Sequence, residues 1–541
     1  MVASEGISRE AVGRQRARPG RTLTLQAIAA LTVAYLMLAP GGGWNTDAHY
    51  ALIRALADGT PTIDATRHEV GATRDISIIN GHYYSAKSPG LAFATLPAYL
   101  LVKAAGGAKP VAGRPVAEAR QLWYLTIWGA VLPAVILLLL VYFVSDRLEP
   151  GYGTAAAVTL GVGSMVLPFA TLFFSHSLSC MLVFAAFAVL WRERRGPARQ
   201  SLVLAAGLLA GLAATTDFPD AVPGAIVGLY VLARQQRVRR VAAYGAGALL
   251  GGLPTLLFNE WAFGSPFTFP YANVSLPGVS HANRAGLYGV TLPSLHAAAE
   301  LLFAPIGLLT LMPVLILGAV GVVFIHRSGH KAEARLIGAV AAGTFLVISA
   351  YNGGDTATNG ALGGGTPGPR FLMPMLPFLA LGIAAAYRRL PVTTLALAVA
   401  SAVQMVVITM TSPVNAPDVS WYHTFAKRVF TRTVLDFVGW QAIGLLVFVA
   451  ALGAGVRIAV AATARPGTSP RDVATGVLAF GGWLLFLFRG PALLNGHALG
   501  NGEVAVFLFA ASLALVAALA PRIVVARPGR AKPAVGPPMD A

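Results

Sequence analysis

Residues 121–145 read QLWYLTIWGAVLPAVILLLLVYFVS, without a single charged side chain. A helix rises 1.5 Å per residue, so about 20 such residues cross the roughly 30 Å hydrocarbon core of a bilayer. The stretch reads as a membrane-spanning helix. It decides the fold because the same pattern recurs to both sides of it. Spans are expected at about 22–40, 121–145, 152–172, 176–191, 201–216, 219–233, 241–258, 302–325, 336–351, 371–387, 391–411, 438–461, 473–488 and 503–521. Pro219, Pro223 and Pro254 predict broken or tilted helices among them. The fold class is therefore an all-α polytopic membrane protein with about fourteen transmembrane helices.

The composition agrees. Of 541 residues, 56% are hydrophobic and only 11% charged, against roughly 25% charged in soluble domains. The one cysteine, Cys180, excludes an intramolecular disulfide and a cysteine-ligated zinc or iron–sulfur site. The basic amino terminus leads into a full-length apolar run, which reads as a first span rather than a cleaved signal.

The net charge of +18 is decided by where the charge lies. With the amino terminus cytoplasmic, the inner segments hold 26 of the 40 Lys and Arg residues and the outer segments 14. The outer segments balance their positive charge with Asp and Glu, so the whole excess is cytoplasmic, as the positive-inside rule expects. No clustered basic face on a folded domain is present, and nucleic acid is excluded as a partner. Residues 89–104 (PGLAFATLPAYLLVKA) are apolar, but a crossing there would invert every later loop. They read as a helix lying in or dipping into the outer boundary.

The chain then divides into a basic cytoplasmic tail (1–21), a core of spans (22–411) with a long external loop at 41–120, a second external loop with further spans (412–521), and a Pro-rich cytoplasmic tail expected to be disordered (522–541). The outer loops are long and the inner ones short, which places the work at the outer face of the cytoplasmic membrane.

The polar residues of that face are the candidates. GGGWNTDAHYALIRALADG (41–59) carries Asp47 at the start of an amphipathic helix, where a carboxylate suits either a cap or a reaction. NGHYYSAKSPGLAFATLPAYLL (80–101) carries Tyr84 and Lys87, suited to an anionic lipid head group or to ordinary snorkelling. His176 stands where a span meets the outer surface, and Asp217 and Asp220 lie in an outer turn. Arg370 is the lone cation of a Gly-rich loop; its planar fork of donors suits phosphate. No Walker pattern accompanies those glycines. Together these residues suit a reaction between a lipid-anchored phosphate and an acceptor outside the membrane.

The first external loop resembles that of GT-C glycosyltransferases, in the branch of the protein O-mannosyltransferases and the lipid A aminoarabinose transferases. In these an Asp follows the first span, and a Tyr-x-x-Lys-Pro-Pro-Gly/Leu stretch follows some thirty to forty residues later. Here Asp47 is followed by Tyr84-Ser85-Ala86-Lys87-Ser88-Pro89-Gly90, with Ser88 in place of the first Pro. Ala48 stands where relatives have a Glu, so a second carboxylate would be Asp64, Glu69, Asp75 or Asp217. FSH (174–176), FGSPF (263–267) and GPRFLMPMLPFL (368–379) extend the resemblance to about residue 390.

The resemblance implies a glycosyltransferase that moves a sugar, with inversion, from a polyprenyl-phosphate donor to a lipid, glycan or protein hydroxyl. It implies Asp47 as general base and Lys87 on the donor phosphate. Tyr84, His176 and Arg370 join Lys87 on chemical grounds. Metal dependence stays open, with Asp47 and Asp217 the carboxylates suited to a divalent ion. The competing expectation is a lipid or glycan flippase or transporter, which would place ionisable groups and internal repeats at mid-membrane; the span centres here are almost free of charge.

Overall fold

The computed structural model describes residues 18–67, 73–106, 115–275, 280, 283–284, 286–287, 289–351, 364, 367–411, 414, 420–465 and 467–495. Six helices in these residues are long and apolar enough to cross a membrane: Arg120–Leu148, Arg237–Phe263, Lys331–Ser349, Arg370–Arg389, Pro391–Thr411 and Gln441–Ala462. A seventh crossing is formed if Leu295–Leu311 and Val314–Arg327, bent by 86° at their junction, count as one. The other expected spans up to 473–488 also fall on helix, but 152–172 is broken into Gly153–Val162 and Val166–Ala170. The 219–233 stretch runs as 3-10 turns flanking the helix Ala221–Gly228. The expected 503–521 span lies outside the described residues.

Close backbone approach holds parts of the bundle together. A Cβ on Gly207 would lie 2.0 Å from the Tyr244 carbonyl oxygen, and one on Gly251 2.3 Å from that of Leu208. The helices Gln200–Thr216 and Arg237–Phe263 thus meet through small residues four apart, the arrangement by which membrane helices gain packing without a hydrophobic drive. Leu249, Leu257, Leu446 and Leu478 point outward and remain exposed, as lipid-facing side chains do.

Charge sorts the two ends of the bundle. At one end, Glu193 receives Arg240 through two bonds of 2.7 and 2.8 Å, and Arg234 joins it. Arg388 and Arg389 both reach Glu149, at 2.9 and 2.8 Å. Arg194 reaches Glu333, and Asp472 accepts from Thr393. These pairs link the loops expected on the cytoplasmic side to one another.

The helix Gly90–Ala104 belongs to the opposite end. Its first residue touches Thr216, and Lys103 near its last turn bonds Asp58, just past the helix Trp44–Ala57, at 2.7 Å. Its 15 residues give about 22 Å at 1.5 Å per residue, short of a crossing.

The loop expected to be external also contains a feature that sequence reading did not resolve. Ile76–Ile79 (β1) and His82–Ser85 (β2) pair antiparallel through the turn Asn80-Gly81. Both turn residues have positive φ, 52° and 82°, the conformation a two-residue hairpin requires and Asn-Gly favours. The hairpin docks on the segment after the helix Arg237–Phe263: the Ser77 hydroxyl donates to the Pro270 carbonyl, and Ser275 N–H donates to the Ile76 carbonyl.

Candidate active site

The hairpin register positions the first cation. Beyond the last strand pair, Ala86 N–H donates to the Asp75 carbonyl, so Asp75 lies opposite the start of the Ala86-Lys87-Ser88 turn. The Lys87 ammonium then sits 2.9 Å from the Asp75 carboxylate.

The same turn meets the end of a distant span. Phe218 N–H donates to the Ser88 hydroxyl at 3.2 Å. A Cβ on Gly90 would lie 2.6 Å from the Thr216 Cα, so only glycine allows this approach. The turn Thr216-Asp217-Phe218 is thereby held beside Lys87.

Asp217 is buried there with His176. The His176 Nδ1 lies 2.7 Å from the Asp217 carboxylate, and the Ser175 hydroxyl donates to the same oxygen at 3.2 Å. Burial pushes the Asp217 carboxyl up, but His176, Arg370 and Lys87 outweigh it and hold it below its ordinary value. The His176 ring packs on Phe169, Phe174 and Phe371, and its Nε2 has no partner among the described residues.

Arg370 opens the helix whose first turns carry FLMPM. Its guanidinium lies over Phe174 and Phe371, the two rings that flank His176, at 5.6 and 5.5 Å. It shares its electrostatic neighbourhood with Asp75 and Asp217. Three of the expected donors, Lys87, His176 and Arg370, thus gather around two carboxylates.

Asp47 is not the N-cap residue itself, but its carboxylate engages the N-cap's backbone. Gly43 is the N-cap of the helix Trp44–Ala57, and Asp47 is buried one turn in, its Oδ1 accepting Gly43 N–H at 3.2 Å. The helix start expected at Asp47 is corrected to Trp44, because the chain turns helical directly after the glycines.

Tyr84 packs edge-on against Phe263 and donates its hydroxyl to the Ala262 carbonyl at 2.9 Å. That bond ties the hairpin to the helix Arg237–Phe263. Asp64 accepts from Tyr83 N–H and from the His82 ring, both at 2.7 Å. Partial burial raises its carboxyl, and these bonds outweigh it and hold the group below its ordinary value. Asp64 therefore secures the turn end of the hairpin, while Asp75 is the loop carboxylate beside the cations. Glu69 lies outside the described residues.

His49 is the member that sequence reading missed. It lies two residues beyond Asp47, on another face of the same helix, buried edge-on to Phe173. Lys87, Asp217, Asp75 and His176 all act on it electrostatically. Burial and the Lys87 charge pull its pKa down to about 3, so the imidazole is neutral. Both ring nitrogens are buried without a hydrogen-bond partner among the described residues.

Among the described residues, no three His, Cys, Asp or Glu side chains come together as metal ligands, and Asp217 is engaged by His176 and Ser175.

No family model and no curated protein matches the chain. Among solved structures, the chain is similar to ArnT from Cupriavidus metallidurans bound to undecaprenyl phosphate, with TM-score 0.46 and 13% identity over 93% of this chain and 88% of that one. The apo state of the same protein gives TM-score 0.45 and 14% identity over the same shares. It is also similar to the archaeal oligosaccharyltransferase AglB from Archaeoglobus fulgidus in complex with an inhibitory peptide and a dolichol-phosphate, with TM-score 0.37 and 13% identity over 84% of this chain and 57% of that one. These similarities assign no role to any residue here.

Proposed function

We propose that the protein is a membrane glycosyltransferase acting at the outer face of the cytoplasmic membrane. It transfers a sugar from a polyprenyl-phosphate donor to a hydroxyl acceptor. The observation that carries this reading is the gathering of Lys87, Arg370 and His176 around Asp75 and Asp217 at the bundle end opposite the arginine-rich loops. Cations held at a membrane boundary suit a phosphate whose lipid tail stays in the bilayer. The loop motif from Asp47 to Gly90 adds the choice of a glycosyl donor.

In the proposed reaction the acceptor oxygen attacks the anomeric carbon, and the bond from that carbon to the lipid phosphate oxygen breaks. The phosphate leaves with the bonding electrons, and Lys87 and Arg370 stabilise the charge it gains. Fixed cations aimed at developing charge are usually the largest contribution to such a step. The acceptor proton passes to the Asp47 carboxylate as general base. Lys87 exchanges the Asp75 carboxylate for a phosphate oxygen as the donor binds, so Asp75 holds the ammonium in position beforehand.

Binding of undecaprenyl phosphate, measured by native mass spectrometry on the purified protein, tests the reading. The wild type should retain the lipid and Lys87→Ala should lose it. Equal retention by both would remove Lys87 from the phosphate site and the donor assignment with it.

A further inference from the structure

We infer that His49 is a substrate-contacting residue of the donor site, its ring N–H donating to the lipid phosphate beside Lys87. The inference rests on the proposed donor site and adds to it a residue that neither the loop motif nor the charge pattern indicates.

A neutral imidazole always carries one donor nitrogen and one acceptor nitrogen. Buried polar atoms are nearly always paired, and each exception calls for a reason. His49 is 1% exposed and leaves both nitrogens unpaired among the described residues. It does so within the electrostatic reach of Lys87, Asp75, Asp217 and His176, the groups that define the site.

A core histidine kept for its shape would be poorly placed there, since an apolar ring would fill the space against Phe173 without orphaning two polar atoms. A glycosyl phosphate offers what the ring lacks. Its phosphate oxygens accept from the N–H, and the adjoining sugar hydroxyls donate to the bare nitrogen. The uncharged ring adds a directed donor without adding to the charge that Lys87 and Arg370 supply.

The two roles separate by substitution. His49→Phe keeps a ring of similar size and removes both polar atoms; His49→Gln keeps a donor and an acceptor. Undecaprenyl phosphate binding should weaken about tenfold or more in His49→Phe, the usual worth of a hydrogen bond to a charged group. His49→Gln should stay within about threefold of wild type, and the lipid-free melting temperature of His49→Phe should equal or exceed that of wild type.

Wild-type binding by His49→Phe, with Lys87→Ala still defective, would overturn the inference alone. Equal binding by wild type and Lys87→Ala would overturn the donor site and this inference together. Should His49→Phe fail to insert, His49→Leu replaces it in the same comparison, with the same two readings.

Discussion

Lys87 and Asp75 meet at 2.9 Å because they stand just beyond the paired ends of one hairpin. The contact is partly exposed on both sides, so it can be exchanged for another anion without stranding a buried charge. Asp75→Asn should therefore raise the affinity for undecaprenyl phosphate, since Lys87 loses a competing carboxylate. A titration of the lipid against wild type and variant checks the direction; weaker binding by the variant would mean that Asp75 orients Lys87 more than it competes for it.

Asp47→Asn tests the general base. Asparagine still accepts Gly43 N–H, so folding and insertion should be unchanged. Transfer should fall by roughly 10²–10⁴-fold, the contribution of a positioned acid–base group. An active variant would return Asp47 to a helix-start role and move the search for a base to the His176–Asp217 pair.

Asp217→Ala leaves His176 buried without its carboxylate. Leaving its buried Nδ1 donor without an acceptor costs about 1–3 kcal/mol, so the variant should show a lower melting temperature in detergent. An unchanged melting temperature would contradict the buried pairing.

Gly90→Ala places a methyl group 2.6 Å from the Thr216 Cα and 2.7 Å from the Thr215 carbonyl oxygen. Backbone cannot yield as a flexible side chain does. The overpacking should cost about 1–3 kcal/mol and should lower transfer by moving Lys87 and Ser88 away from Asp217. Full activity in Gly90→Ala would show that this approach is not needed to assemble the site.

The pH dependence of stability follows from His49. Its folded pKa, about 3, lies below the ordinary 6.5, so at acid pH the unfolded chain binds a proton that the folded one refuses. Stability should fall as pH drops below about 6.5, and the loss should be complete only near 3. His49→Phe should make the acid side of the melting-temperature profile shallower; an identical profile would mean that His49 is solvated or paired.

Much of this was legible in the sequence, and the omissions have physical causes. Apolar length and the charge pattern predict the spans, and six of the stretches they mark are helices long and apolar enough to cross a membrane. They do not report whether a helix is continuous, which is settled by breaks such as Gly163-Ser164 and by contacts such as Gly307 against Leu302. The Asn80-Gly81 turn between ISII and HYYS is a readable hairpin signal. Once the hairpin is drawn, its register separates Asp75 from Asp64. Lys87, His176 and Arg370 were legible as candidate cations and donors, but the approach of Lys87 to the Asp217 turn depends on Gly90 against Thr216, a contact between segments far apart in the chain. His49 could not be singled out, because its burial against Phe173 is fixed only by tertiary packing.

The central claim, that the outer-end cluster consumes a polyprenyl-phosphate sugar, is tested most directly by the lipid pool. Membranes containing wild-type protein, Lys87→Ala or Asp47→Asn at equal levels would be extracted, and polyprenyl-phosphate sugars and free undecaprenyl phosphate quantified by mass spectrometry. The account predicts that the wild type depletes one glycosylated lipid and raises the free phosphate, while both variants leave that glycosylated lipid intact. Identical lipid pools in all three membranes would contradict it.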